Sequence, residues 1–195
     1  MEKEERGKKI EVCKLQEASS KFASLQEAGV QIFVEGKSEI VGKNRYALEE
    51  SAELAIYTSP PGQSELRAIL EKVKPEKVYI IGIDPPSFTP QTFLSHLAGL
   101  VKYTLAKKDG QTTISALAAV TAQREATIRL GLEWLAAGGQ VKVVVEDDNI
   151  TLSKPTEKTE KYAQAELFLA IKNLLIETAA YRKHFHVTEA EGLIF

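Results

Sequence analysis

Residues 54–83 read LAIYTSPPGQSELRAILEKVKPEKVYIIGI, and this stretch decides the fold. Residues 54–57 (LAIY) form a compact apolar run, and Pro60-Pro61-Gly62 breaks it. Ser64 then stands where a helix cap is wanted, ahead of an apolar face formed by Leu66, Ile69, Leu70 and Val73. Pro75 ends that helix. Residues 78–83 (VYIIGI) are nearly continuously apolar, as in a strand covered on both faces. Strand, helix and strand in so short a span predict a βαβ crossover, which joins parallel strands with a right-handed connection.

Upstream, the first thirty residues are rich in Glu, Lys, Gln and Ala, with Ile10, Val12, Leu15, Phe22 and Leu25 at loose helical spacing. They predict a lead-in helix or a partly ordered segment over 1–29. Val30 to Val34 (VQIFV) and the pair Ile40-Val41 predict a hairpin or paired strands, opening a small α/β domain over 30–89.

Downstream, DPPSFTP at 84–90 holds three of the seven prolines and marks a domain boundary. Beyond it, Phe93, Leu94, Leu97, Leu100, Val101 and Leu105 predict an amphipathic helix over 92–107. Shorter helices follow at 113–120 and 124–137. Residues 141–145 then turn at Asp147-Asp148-Asn149 and return at 150–152 as an antiparallel partner. Three helices and a β-ribbon are the winged helix-turn-helix order. A charged linker at 153–160 leads to a last long helix whose stripe, Leu167, Phe168, Ile171, Leu174, Leu175, Thr178 and Phe185, requires a packing partner, most simply the winged domain over 90–195.

The predicted fold class is therefore α/β plus α+β: a small βαβ-containing parallel-sheet domain, a winged helix-turn-helix domain and a long C-terminal helix. Composition bounds what it can do. The 195 residues are 44% hydrophobic and 27% charged with a net charge of -2, an ordinary globular balance without the bulk basicity of a strong nucleic-acid binder. No apolar run is long enough to span a bilayer, and MEKEERGKK at 1–9 lacks a signal peptide's apolar stretch. Neither membrane nor secretion is expected. The single cysteine, Cys13, suits a reducing cytoplasm.

Chemistry-bearing motifs are sparse. GxxxxGK[ST], GxGxxG, GxSxG and HExxH are all missing, so no catalytic residue and no metal ligand is assigned. His184 and His186 read as helix-end cations, with Glu189 or Glu191 as the carboxylates a metal role would need. His96 reads as a partly exposed helix residue and Trp134 as core packing. The turns at 58–62 and 84–86 follow adjacent parallel strands, where open sheets bind ligands, yet their prolines remove amide donors and favour a structural reading.

In a DNA-reading winged domain, Gln123, Arg124, Thr127 and Gly131 stand at or near the start of the groove-entering helix, opposite Ile128, Leu132 and Leu135. Arg129 is the further cation on that helix, about 140° from Arg124. Against duplex binding, the ribbon carries Glu146, Asp147 and Asp148, and residues 90–154 hold seven cations against six anions.

The chain resembles the C-terminal region of RecJ-type single-stranded-DNA-specific exonucleases. The resemblance covers roughly residues 30–190. It is carried by ALEESAELAIYTSPPGQSELRAILEKVKPEKVYIIGIDPP at 47–86, FLSHLAGLVKYTL at 93–105, SALAAVTAQREATIRLGLEWLAAGGQV at 115–141 and ETAAYRKHF at 177–185. The family cleaves DNA with Asp and His clusters, including an Asp-His-His motif, that hold divalent metal; this chain lacks that motif. The resemblance thus implies an accessory region for DNA repair or recombination, with no cofactor of its own and the metal confined to the parent's catalytic domain. Its implied partners are single-stranded DNA, and the rest of the exonuclease or a repair protein; the DNA contacts expected from the winged-domain reading are Gln123, Arg124, Thr127 and Arg129. A stand-alone winged-helix regulator, with a ligand sensed at the two proline turns, is the alternative.

Overall fold

The computed structural model describes residues 11–14, 18–155, 161–188 and 192. The readings placed on residues 1–10, on Leu15, on linker residues 156–160 and on Glu189 and Glu191 lie outside the described residues.

The chain is mixed α/β, with six helices and two sheets among the described residues. Four parallel strands lie in the order β1-β4-β3-β2: β1 (Glu11–Lys14), β2 (Gln31–Phe33), β3 (Glu53–Thr58) and β4 (Lys77–Ile83). The crossover read from residues 54–83 is present, with α2 (Gln63–Val73) linking β3 to β4. Its helix starts earlier than the sequence suggests: Gly62 is the N-cap, and Ser64 does not cap it.

Strand alternation sorts the sheet's two faces. Leu54, Ile56, Val78 and Ile80 pack with Leu66, Ile69 and Val73 of α2. Ala55, Tyr57, Tyr79 and Ile81 form the other face beneath Phe22 and Leu25 of α1 (Ala18–Glu27). Both faces are covered, which explains why β4 reads as unbroken apolar sequence.

Two expectations for the N-terminal third are corrected. Residues 11–14 are not lead-in helix; they form β1, in register with Lys77 to Ile80 of the neighbouring strand. Val30 to Val34 does not pair with Ile40-Val41 as a hairpin. Instead β2 pairs parallel to β3, and only Lys43 bridges to Phe33 on the outer side. Ile40 packs beneath the α1 face while Val41 is 81% exposed, so the apolar pair serves no ladder.

The second half begins at α3 (Pro90–Lys107), started by a reciprocal Thr89/Thr92 capping box with Pro90 at the first turn. Then come β5 (Gln111–Thr113), α4 (Ile114–Thr121), α5 (Glu125–Ala137), β6 (Lys142–Glu146) and β7 (Asn149–Ser153). The ribbon of β6 and β7 is present, and β5 joins it as an unforeseen third strand in the antiparallel order β5-β7-β6. Three polar residues carry no apolar alternation, which is why β5 escapes a reading by pattern.

Helix α6 (Lys161–Val187) does more than pack on the second half. Ile171 and Leu175 enter the core of α3, α4 and α5, whereas Phe185 is buried in the sheet's core beside α2. One helix thus belongs to both cores.

Gly131 lies in the contact between α5 and α3, on the core side with Ile128 and Leu132 and not on a free face. A methyl group there would lie 2.5 Å from Leu97 Cδ2 and 3.0 Å from Phe93 Cε1, both on wholly buried side chains. Overpacking of this kind costs about 1–3 kcal/mol, above the roughly 0.5 kcal/mol that valine gains over glycine in helix propensity. Gly131→Val should therefore lower the urea midpoint, by a net loss of about 1–2 kcal/mol. A variant as stable as the parent would contradict this packing.

Candidate functional site

The carboxyl edge of the parallel sheet meets the corner between α4 and α5, and the functional side chains converge there. Gly82 has φ +69° and the β3–β4 register slips between Ile56 and Thr58, so the strand ends carry a bulge. Ser59 N–H donates to Ile83 O at 3.0 Å, and the Ser59 hydroxyl donates to Asp84 Oδ1. His186 Nε2, from the end of α6, lies 2.9 Å from the same oxygen. The order is serine, carboxylate, imidazole. A nucleophilic triad needs the imidazole on the serine hydroxyl, and here it sits on the far side of the carboxylate.

Beside this cluster lies a buried ion pair. Glu35 is 3% exposed, and Arg45 grips it from two nitrogens, Nε at 2.7 Å from Oε1 and Nη2 on Oε2. Arg45 Nη2 also donates to Gln123 O at 3.0 Å. Burial pushes the Glu35 carboxyl up, while the Arg45 hydrogen bonds and charge pull it back. Gly36 N–H donates to Ala119 O at 2.9 Å.

Arg182, from α6, is buried alongside. Its Nε donates to Ser59 O at 3.3 Å and its Nη2 to Ala122 O. Burial pulls the guanidinium down to about 10, opposed by Asp84 and Glu35. Arg124 closes the other flank, with Nε donating to Pro61 O at 3.2 Å and Nη1 to Glu177 at 3.0 Å. Tyr46 hydroxyl donates to Glu125 at 2.8 Å.

Of the residues proposed for nucleic-acid contact, Gln123 and Thr127 are 2% and 0% exposed, turned into this joint and the core. Arg124 lies in the joint's flank, and Arg129 reaches the ribbon, donating from Nη2 to Asp147 O at 3.1 Å. The structure does not bring these four onto one open face. The ribbon's acidity has a local use: Asp148 accepts from Ser115 N at 2.9 Å and Ser115 Oγ at 2.6 Å, at the positive end of α4. His96 stacks on Phe88, ring centroids 5.5 Å apart, and Trp134 packs partly buried against the helical core.

Glu35, Arg45 and Arg182 went unread in the sequence. Arg182 did leave a signal, because it continues the buried spacing of Ile171, Leu175, Thr178 and Phe185. An arginine in the apolar phase of an amphipathic helix implies a buried acceptor.

Two clefts flank the joint. One of about 510 Å³, between α2 and the start of α5, is lined by Arg45, Tyr46, Glu65, Lys72 and Arg124. The other, of about 270 Å³, opens between Asp84 and α6. Among the described residues no group of three or more His, Cys, Asp or Glu side chains is placed to hold a metal ion, and no helix is long and apolar enough to cross a membrane. Comparison with protein-family models, curated proteins and solved structures finds no match.

Removing one partner of a buried pair strands the other. Arg45→Met should cost about 3–5 kcal/mol at neutral pH. It leaves Glu35 raised further by burial, so the folded state takes up a proton more readily than the unfolded chain. The variant should regain stability as pH falls through that raised value toward the ordinary 4.5, and lose it again as pH rises. Urea denaturation at acidic and neutral pH measures this. A loss that does not shrink on acidification would contradict the pairing.

Proposed function

We propose that the chain is an accessory region of a RecJ-like single-stranded-DNA exonuclease, acting in the cytoplasm in DNA repair or recombination. It positions single-stranded DNA or docks a repair partner, while metal-dependent cleavage belongs to the parent's catalytic domain. The order of α3, β5, α4, α5, β6 and β7, with its antiparallel sheet, supports reading the second half as a winged helix-turn-helix.

One observation carries the positioning role over duplex reading. A winged-helix reader lays the N-terminal end of its second paired helix in the major groove. Here Gln123 and Thr127 are buried, and Arg124 is held between the loop after β3 and α6 by Pro61 O and Glu177. The stand-alone regulator needs that end free and is disfavoured for that reason. Of the two arginines at the start of α5, Arg129 is the one outside the joint, half-buried beside the ribbon.

A salt-titrated binding assay with labelled single-stranded and duplex DNA tests the reading. Single strands should bind more tightly, with affinity falling as salt rises and Arg129→Ala reducing the salt slope by about one ion. Preference for duplex, or an affinity indifferent to salt and to Arg129→Ala, would contradict it.

A further inference from the structure

The smaller cleft holds an arrangement that the accessory role does not use. It opens beside the loop that follows β4, at the carboxyl edge where open parallel sheets take ligands, and is lined by Asp84, Ser87, Phe88, Gln123, Thr178 and Arg182. Gln123 and Thr178 are each 2% exposed, yet Gln123 Oε1 and Thr178 Oγ1 have no hydrogen-bond partner among the described residues. The threonine is telling. A helical threonine ordinarily bonds back to a carbonyl of the preceding turn, as Thr121 does to Leu117 O at 2.8 Å. Thr178 makes no such bond; of the three buried side-chain oxygens without a partner among the described residues, Thr127 Oγ1 lies outside this cavity, while the other two belong to residues that line it.

The lining restricts what can satisfy them. The Asp84 carboxylate and Gln123 Oε1 are acceptors and repel an anion, whereas the Arg182 guanidinium repels a cation. A neutral ligand with donor and acceptor side by side suits both. Glutamine's carboxamide offers the complementary pattern, the one it uses on the amino and ring-nitrogen edge of adenine. Leu175, Ala179, Pro85 and Phe88 supply apolar walls for a flat body. About 270 Å³ is below the size of a drug-like pocket and fits one ring system with little besides.

We propose that this cleft binds a single nucleobase-like heteroaromatic ring through its amino and ring-nitrogen edge, read by Gln123 and Thr178. The source is either a free nucleoside or an unpaired base of a nucleic-acid strand. The site stands independently of the accessory-region reading, because a free nucleoside needs no DNA-binding surface.

Calorimetric titration of the full chain with adenosine, with a short oligodeoxyadenylate and with ribose 5-phosphate tests it. Adenosine should saturate one site at about 0.1–1 mM. Saturation by the oligonucleotide alone would assign the same site to a strand's base. In either case Gln123→Met and Thr178→Val should each weaken binding about tenfold. Without ligand, both variants should melt no lower than the parent, since each removes a buried polar atom that lacks a partner. Failure of both base-bearing probes, equal binding of ribose 5-phosphate, unchanged affinity in both variants, or a clear fall in their melting temperature would each overturn the proposal. Binding of adenosine without any DNA affinity would leave this site standing and remove the DNA-positioning part of the accessory reading.

Discussion

Helix α4 ends in carbonyls to which the other half of the molecule brings donors, beyond the one its own cap supplies from Ala122 N–H to Ala119 O. Gly36 N–H reaches Ala119 O, Arg182 reaches Ala122 O, and Arg45 reaches Gln123 O in the turn beyond. A helix C-terminus carries partial negative charge as well as orphan acceptors, so two guanidinium groups there answer both needs. Each arginine is itself anchored on the sheet side, Arg45 by Glu35 and Arg182 by Ser59 O. The joint is consequently polar and directional, in contrast to the apolar cores on either side of it. Such a contact fixes orientation more strictly than apolar burial does.

This constraint decides what the second half can present to a partner. The corner between α4 and α5 is where a duplex reader would expose its recognition residues, and the joint covers it. It also creates the two clefts, because side chains that converge on a few carbonyls leave gaps beside them. Gln123 shows the double role: its main chain is bound into the joint, while its Oε1 is left without a partner beside the smaller cleft.

The βαβ unit, the long helices and the ribbon were legible in the sequence because each carries an uninterrupted apolar period. Leu54 to Ile83 and the α3 stripe are of this kind. Strands β1 and β5 were not legible, since four and three residues with little apolar content carry no period. The misread Ile40-Val41 pair shows the converse, two β-prone residues that no neighbouring strand can use. The candidate site was half visible: the turns at Ser59 and Asp84 stood out by position, but Glu35, Arg45 and Arg182 come together only in three dimensions. Gln123 and Arg124 read as DNA contacts at a helix start, and no local pattern reveals that the loops of the sheet lie against them.

The account rests on the two halves forming one unit through the carbonyl end of α4, and the Gly36 amide reports on that directly. Its N–H crosses from the loop after β2 to Ala119 O at 2.9 Å. Native-state hydrogen exchange followed residue by residue should show Gly36 protected to the level of Ala55 and Ile56 in the centre of the sheet, opening only with global unfolding. Exchange of Gly36 at the rate of an exposed loop amide, with β3 still protected, would show the halves parting independently and would contradict it.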